Sequence, residues 1–163
     1  MENLEVLLLG ANQLKFLHSS IGNLKSLKRL YLWNNQLESL SDPIIELESL
    51  EVLKLRGNCL KSLPAGIDKL RNLKEIYLWG NYLETLPVEI GMLPKKELLG
   101  IVGNTIKKLS ETITHLTDLK FLYLWANILE NITKKQKRWL TKLEINSCTV
   151  IYERKQRVKH NSD

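Results

Sequence analysis

Histidine and cysteine are the side chains that most often bind metals or act as nucleophiles, and this chain has few of them. It contains three histidines, His18, His115 and His160, and two cysteines, Cys59 and Cys148. The cysteines form no CxxC motif, which argues against a zinc site, and two are too few for a disulfide framework. We interpret both as reduced thiols, the usual state in the cytoplasm.

Motifs for phosphate or acid–base chemistry are equally scarce. The sequence has no P-loop, and Gly100 and Gly103 form a loose glycine pair rather than a nucleotide fingerprint. Glu75 is the one carboxylate expected on the candidate surface described below, so paired-acid catalysis lacks its second group. We therefore predict that the protein is not an enzyme and that it holds no metal and no cofactor.

The net charge of +6 belongs to one end of the chain. Residues 1–132 contain 15 basic and 15 acidic residues, whereas residues 133–163 contain nine basic and three acidic residues. Binding of nucleic acid or of an anionic membrane through this basic segment is the alternative function that we keep open. No apolar run is long enough to cross a membrane and no signal peptide is evident, so we expect a cytoplasmic protein.

Most of the chain is a 23-residue repeat that reads LxxLxLxxNxL. Its asparagines are Asn12, Asn35, Asn58, Asn81, Asn104 and Asn127. Leucine or isoleucine stands five and three residues before each of them. Six copies at constant spacing predict a solenoid of stacked coils, in which no copy can bury its own leucines without its neighbours.

Each copy is expected to supply one short strand and one return segment. The L-x-L pair would point inward from the strand, and the asparagine amide would bond backbone groups that no sheet ladder reaches. The return segments are short and carry prolines, which favours irregular or 3₁₀ structure. We therefore predict a right-handed α/β solenoid with six repeats, a concave parallel sheet and a C-terminal helical cap. His18 and His115 would lie about 20 Å apart along this stack, too far to share a metal.

The repeats resemble those of intracellular leucine-rich-repeat proteins, whose 23-residue units read LPxxIxxLxxLxxLxLxxNxL. The best matches are Leu63-Pro64-Ala65-Gly66-Ile67 and Leu86-Pro87-Val88-Glu89-Ile90, whereas Ser41 and Ser110 stand at the proline position. The resemblance covers residues 4–132, and the family includes Ras-associated scaffolds and plant Ras-group-related proteins. It implies a non-catalytic protein-interaction module in intracellular signalling, with a small GTPase or a phosphatase as partner.

A 46-residue period is superimposed on the repeat. Charges alternate in sign at two positions, first at Glu5, Lys28, Glu51, Lys74, Glu97 and Lys120, and then at Lys15, Glu38, Lys61, Glu84, Lys107 and Glu130. Stacked strands lie about 4.8 Å apart, so each charge should have opposite charges above and below it. This pattern predicts two exposed charge ladders.

Aromatic residues follow the same 46-residue period as a Y-L-W motif. The rings flank an inward-pointing leucine, so they should lie on the concave strand face. Tyrosine, tryptophan and arginine dominate binding hot spots, which makes this face the predicted partner-binding surface. Its predicted residues are Arg29, Tyr31, Trp33, Lys54, Arg56, Glu75, Tyr77, Trp79, Tyr123 and Trp125. Lys54 and Arg56 could stack between the flanking rings and form a basic strip suited to an acidic partner.

A structural explanation of the Y-L-W motif competes with this one. In this explanation the rings are inherited from duplication of a 46-residue unit and serve to pack on each other and stiffen the sheet. The sequence leaves both interpretations open.

The two ends of the array differ. We predict a repeat array over residues 1–132, a cap over residues 133–152 and a basic, disordered tail over residues 153–163. Thr133 and Gln136 match a capping box for a helix from Lys134 to Leu143 with Trp139 in the cap core, and residues 148–152 favour a last strand. The N-terminal end has no matching cap, so we expect the first repeat to fray, to pair with another chain, or to be the remainder of a longer array.

Overall fold

The computed structural model describes residues 3–152, which form a stack of six coils with a helix at the C-terminal end. Each coil contributes one three-residue strand to a single parallel sheet, and the cap adds a seventh strand beside the sixth. The strands are β1 (Val6–Leu8), β2 (Arg29–Tyr31), β3 (Val52–Lys54), β4 (Glu75–Tyr77), β5 (Leu98–Gly100), β6 (Phe121–Tyr123) and β7 (Thr149–Ile151). They lie in chain order, which confirms the predicted repeat solenoid.

The return segments are five-residue 3₁₀ helices, as predicted. They are η1 (Ser19–Asn23), η2 (Asp42–Glu46), η3 (Ala65–Lys69), η4 (Val88–Met92) and η5 (Glu111–His115). Pro64 and Pro87 are the residues directly before η3 and η4, and both are extended. The proline ring fixes φ near −60°, which suits this position. Each 3₁₀ helix buries one isoleucine against the core.

The core is a column of leucine and isoleucine side chains, and each coil is shielded from solvent by the coils stacked on either side of it. The central residues of β2 to β6 have no exposed surface. A fully buried leucine contributes about 1.5–3 kcal/mol relative to an exposed one. In the first coil, Leu4, Leu7, Leu9 and Leu14 are only partly buried, and an apolar opening of about 630 Å³ remains beside β1.

The repeated asparagines form a ladder of hydrogen bonds between coils. Asn81 accepts a bond from the backbone N–H of Leu60 at 3.0 Å and donates to the carbonyls of Leu55 and Leu78, each at 3.0 Å. The same three bonds recur at Asn35, Asn58, Asn104 and Asn127. Each of these side chains therefore ties its own coil to the preceding one. Asn12 has no preceding coil among the described residues and bonds only within its own coil.

The residue before each asparagine turns the chain with a positive φ. These residues are Ala11, Asn34, Gly57, Gly80, Gly103 and Ala126, with φ between 51° and 67°. The left-handed conformation costs a non-glycine residue roughly 1–2 kcal/mol, so glycine suits this position and is present in the three middle coils. The repeated Gly-Asn dipeptides were a sequence signal for this turn that our sequence analysis did not use.

Lys96 occupies a core position that leucine holds in the other coils. The equivalent residues are Leu27, Leu50, Leu73 and Leu119, and all are buried. Lys96 is itself 2% exposed, and its Nζ donates to the carbonyl of Leu73 at 3.2 Å. Burial lowers the pKa of Lys96 to about 7, although Glu75 partly opposes the shift. The sequence analysis did not identify this buried amine, which alignment of the repeats at this position would have revealed.

The predicted continuous charge ladders are wrong in detail. The first series forms three separate ion pairs, Lys28–Glu5 at 2.7 Å, Lys74–Glu51 at 3.0 Å and Lys120–Glu97 at 2.7 Å. The second series forms one ion pair in the described part of the chain, Lys61–Glu38 at 3.1 Å. The physical reason is that a lysine has a single terminal charge. Its ammonium contacts the glutamate of one neighbouring coil and is then too far from the glutamate of the other neighbouring coil to form an ion pair. Exposed pairs of this kind contribute at most about 1 kcal/mol each.

The C-terminal cap is built around the helix α1 (Lys134–Ile145). The predicted capping box is confirmed, since Thr133 and Gln136 exchange side-chain to backbone bonds of 3.1 Å, although the helix extends two residues past Leu143. Trp139 is buried and donates from Nε1 to the carbonyl of Leu116 at 2.9 Å. Burial raises the pKa of the Cys148 thiol to about 11, so the thiol stays protonated at neutral pH. The predicted basic tail, residues 153–163, lies outside the described residues.

Replacing Asn81 with alanine should destabilise the protein by about 2 kcal/mol, because the buried N–H of Leu60 loses its acceptor. The carbonyls of Leu55 and Leu78 each lose one of two amide donors and keep the other, from Asn58 and Asn104. Urea unfolding measures the change. Asn12→Ala is the matched control, since that side chain is exposed and its loss should cost less than about 0.5 kcal/mol. Equal effects of the two substitutions would contradict the ladder as a source of stability.

Replacing Lys96 with leucine should stabilise the protein and remove a pH dependence. The pKa of Lys96 is about 7 in the folded chain against 10.5 for the unperturbed group, so between these values the unfolded state binds more protons. The free energy of unfolding of the wild type therefore rises with pH across that window. We expect the Lys96→Leu variant to be more stable by about 4 kcal/mol near pH 6, and this advantage to fall by about 3 kcal/mol near pH 9. Urea unfolding at both pH values tests this, and a constant difference would contradict it.

Candidate functional site

The outward-pointing residues of the strands form one continuous surface, which we call the concave face. All ten residues predicted for partner binding lie on it, at the strands or within two residues of them. Arg29, Trp33 and Arg56 are exposed, and the other seven are half-buried. Three further exposed apolar side chains belong to this face and were not among the predicted binding residues, Val6 at 37%, Leu8 at 70% and Phe121 at 41% exposed.

Lys54 is held between two tyrosine rings. Parallel pairing of β2, β3 and β4 places Tyr31, Lys54 and Tyr77 in one row across the sheet. The Lys54 ammonium lies 5.0 Å from the centroid of each ring, within the range of cation–π attraction. This is the arrangement that the spacing of the repeats predicts.

Arg56 contacts one ring instead of the two expected. Its guanidinium carbon lies 5.8 Å from the centroid of the Trp79 ring. Trp33 makes no such contact, because its indole lies over Gly10 on the opposite side, where a side chain would overlap it. The prediction placed Arg56 between two rings because it took no account of the space that Gly10 leaves for Trp33.

The two tryptophans nearest β3 lean in opposite directions. Trp33 covers Gly10 in the first coil, and Trp79 covers Gly100 on β5, where a Cβ would overlap the indole nitrogen. Both rings therefore lean away from β3. Glycines at the outward positions of the first and fifth coils are the sequence signal for this geometry, and our prediction of the binding surface did not use them.

The space between the leaning rings is a groove of about 590 Å³ over β3. It is lined by Leu8, Tyr31, Trp33, Asn34, Lys54, Arg56, Tyr77 and Trp79. Lys54 and Arg56 bring two cations to it, and no carboxylate of residues 3–152 lines it. A second opening of about 470 Å³ continues from Arg56 and Trp79 to Trp125. We call the first opening the β3 groove.

The other half of the concave face is a packed cluster of rings. Trp79 meets Tyr77 and Tyr123 edge to face, with centroids 5.9 and 5.6 Å apart, and Phe121 stacks on Tyr123 at 6.2 Å. The packing explanation of the Y-L-W motif therefore applies to Tyr77, Trp79 and Tyr123. It does not apply to Trp33 or Trp125, which make no ring–ring contact within residues 3–152.

The electrostatics of the concave face favour anions. The described part of the face carries three cationic side chains, Arg29, Lys54 and Arg56, and one carboxylate, Glu75. None of the three cations has an ion-pair partner in the described chain. The hydroxyl of Tyr77 donates to Glu75 Oε2 at 3.0 Å. Burial, with this hydrogen bond second, raises the pKa of Tyr77 to about 12, so the phenol stays neutral and is no general base at neutral pH.

The described residues show no centre for metal chemistry. Within residues 3–152, no three histidine, cysteine, aspartate or glutamate side chains converge as a metal site requires. In the same part of the chain, no helix has the length and apolarity needed to span a bilayer. What the concave face offers is aromatic surface, cations and a groove, which are the properties of a binding surface.

Residues 25–83 match the family model described as leucine rich repeat. Among curated proteins, none matches the chain. A leucine-rich-repeat protein of Leptospira interrogans has 30% identity and a TM-score of 0.67, with 93% of this chain and 43% of that chain covered.

Two plant receptors of known structure are also similar. The leucine-rich-repeat ectodomain of the membrane receptor kinase GASSHO1/SCHENGEN3 from Arabidopsis thaliana, in complex with CASPARIAN STRIP INTEGRITY FACTOR 2, has 29% identity and a TM-score of 0.71 over 77% of this chain and 16% of that chain. The plant peptide hormone receptor RGFR1, in complex with RGF2, has 26% identity and a TM-score of 0.67 over 77% and 25%.

This chain spans less than half the length of each of these three proteins. The repeat, the asparagine ladder and these similarities together show that the chain belongs to the leucine-rich-repeat family.

Proposed function

We propose that this protein is a non-catalytic interaction module that binds a protein partner on its concave face. The observation that carries the proposal is the β3 groove, whose walls are aromatic and whose two cations have no ion-pair partner within the described chain. Exposed aromatic surface next to arginine is the composition of binding hot spots. Trp33 packs over Gly10 and is still 40% exposed, so part of its ring surface is available to a partner.

The comparisons support this proposal at the level of the fold. Both plant receptors have structures in complex with a partner molecule, and one of them is described as a peptide hormone receptor. A leucine-rich-repeat stack presents an extended surface on rigid strands, which suits recognition of another chain. Recognition of a protein or peptide is therefore the function class that we carry over to this chain.

The finer points of the proposal rest on residue patterns. The resemblance to intracellular repeats and the two free thiols support a cytoplasmic protein in a signalling pathway, with a small GTPase or a phosphatase as the partner class. The alternative function, contact with nucleic acid or an anionic membrane, depends on residues 153–163, which lie outside the described residues.

Trp33 and Trp125 provide the test of the proposal. We expect the double variant Trp33→Ala/Trp125→Ala to fold, because neither ring belongs to the aromatic cluster, and to lose at least about tenfold in affinity for the partner. The measurement is affinity capture from a lysate of the source organism, followed by titration of each captured protein. Thermal melting confirms that the variant is folded.

The matched control removes two exposed aromatic rings that lie off the concave face. Phe16→Ala/Tyr82→Ala changes side chains that are 74% and 59% exposed, and it should leave partner affinity within twofold. A partner that binds both double variants as well as the wild type does would contradict the proposal. If that partner is lost on deletion of residues 153–163, the alternative function is supported instead.

A further inference from the structure

The β3 groove differs from the rest of the concave face in combining apolar walls with cations that have no ion-pair partner among residues 3–152. Trp33 and Trp79 bound it on the side of β1 and of β5, and Lys54 and Arg56 lie between them. An arrangement of this kind is complementary to one type of side chain, namely an anionic head on a short apolar stem. The described chain supplies no such group to the groove.

We infer that the β3 groove receives an aspartate or glutamate side chain from an extended segment of the partner. The carboxylate binds Lys54 and Arg56, and the flanking residues of the segment pack against Trp33 and Leu8. This inference rests on the proposed function, because it identifies what the concave face recognises in its partner.

Charge complementarity is the first argument. Arg29, Lys54 and Arg56 are opposed on this face by Glu75 alone, and Glu75 is already bonded to the hydroxyl of Tyr77. Unpaired charges that a partner desolvates must be matched by opposite charges, since like charges across an interface cost several kcal/mol. A basic or neutral segment would leave Lys54 and Arg56 without partners.

Preorganisation is the second argument. Lys54 is clamped by two rings, each 5.0 Å from its ammonium, and Arg56 lies 5.8 Å from the Trp79 ring. A lysine that is already ordered loses less side-chain entropy on binding than a free one. Arg56 lies two residues beyond Lys54, where backbone hydrogen bonds from Leu55 and Gly57 to the next coil continue past the end of β3. The extended chain therefore places the two Cα atoms about 6.6 Å apart, and both side chains can reach one carboxylate.

The size of the groove is the third argument. A volume of about 590 Å³ is within the range of pockets that take small ligands, and it admits a few side chains but no folded domain. Leu8, at 70% exposed, and Trp33 offer apolar contact on the β1 side. An acidic residue with an apolar neighbour is therefore the sequence that the groove selects.

Selection from a random peptide library on the full chain provides the test. A display library of random linear peptides is panned against the wild-type protein, and enriched peptides are titrated by isothermal calorimetry. We expect enriched peptides to share an aspartate or glutamate. Changing that residue to asparagine or glutamine should weaken binding about tenfold or more at low salt.

Substitutions in the groove complete the thermodynamic cycle. Lys54→Gln/Arg56→Gln should weaken binding of the acidic peptide about tenfold and leave binding of its amide variant nearly unchanged. Lys61→Gln/Arg71→Gln removes the same charges from exposed positions off the concave face and should leave affinity within twofold. Arg56→Gln alone, at an exposed position, serves as a second variant if the double variant folds poorly.

The outcomes separate this inference from the proposed function. Peptides that require Trp33 but have no acidic residue, or that bind Lys54→Gln/Arg56→Gln as well as the wild type, would overturn the inference and leave concave-face binding in place. Failure to enrich any peptide that depends on Trp33 would also overturn it. The capture experiment with Trp33→Ala/Trp125→Ala then decides the proposed function separately.

Discussion

A single coil of 23 residues cannot bury its own leucines, and the structure follows from that constraint. Each coil must be covered by the next, so the coils stack in register and their strands form one parallel sheet. The asparagine ladder makes the stacking compatible with hydrogen bonding, because each buried amide bonds backbone groups of two successive coils. The register fixed inside the stack also fixes the rows of side chains outside it. The clamp of Lys54 between Tyr31 and Tyr77 is a direct result.

The concave face divides into two parts with different physical roles. From β4 to β6, four aromatic rings pack against one another, those of Tyr77, Trp79, Tyr123 and Phe121. From the first coil to β3, the side chains are more exposed and surround a groove with unpaired cations. Trp79 belongs to both parts, since its ring is a wall of the groove and a member of the cluster. Its indole N–H is buried and has no acceptor in the described chain, so this donor lacks the hydrogen bond that buried polar groups normally make.

The sequence predicted those features that periodicity determines. The strand positions, the buried asparagines, the face that carries the aromatic residues and the cation–π contacts of Lys54 all follow from a 23-residue spacing. The direction in which Trp33 and Trp79 lean does not follow from it, because that depends on space left by Gly10 and Gly100 in other coils. Lys96 was missed because the repeat was identified by the leucines that match it, and position 96 carries a lysine where the equivalent core residues are leucines. The charge series was misjudged because sign alternation does not determine which of two neighbours a lysine reaches.

The ion pairs of the first charge series join coils one and two, three and four, and five and six. None of these three joins coil two to three or coil four to five in the described chain, whereas Lys61–Glu38 of the second series joins coil two to three. Removing coil three alone would bring Lys28 beside Lys74 and would leave Tyr31 beside Tyr77 without the lysine between them. Removing two adjacent coils would keep opposite charges in neighbouring coils in both series. A chain of this design therefore keeps opposite charges in neighbouring coils only when coils are gained or lost in even numbers.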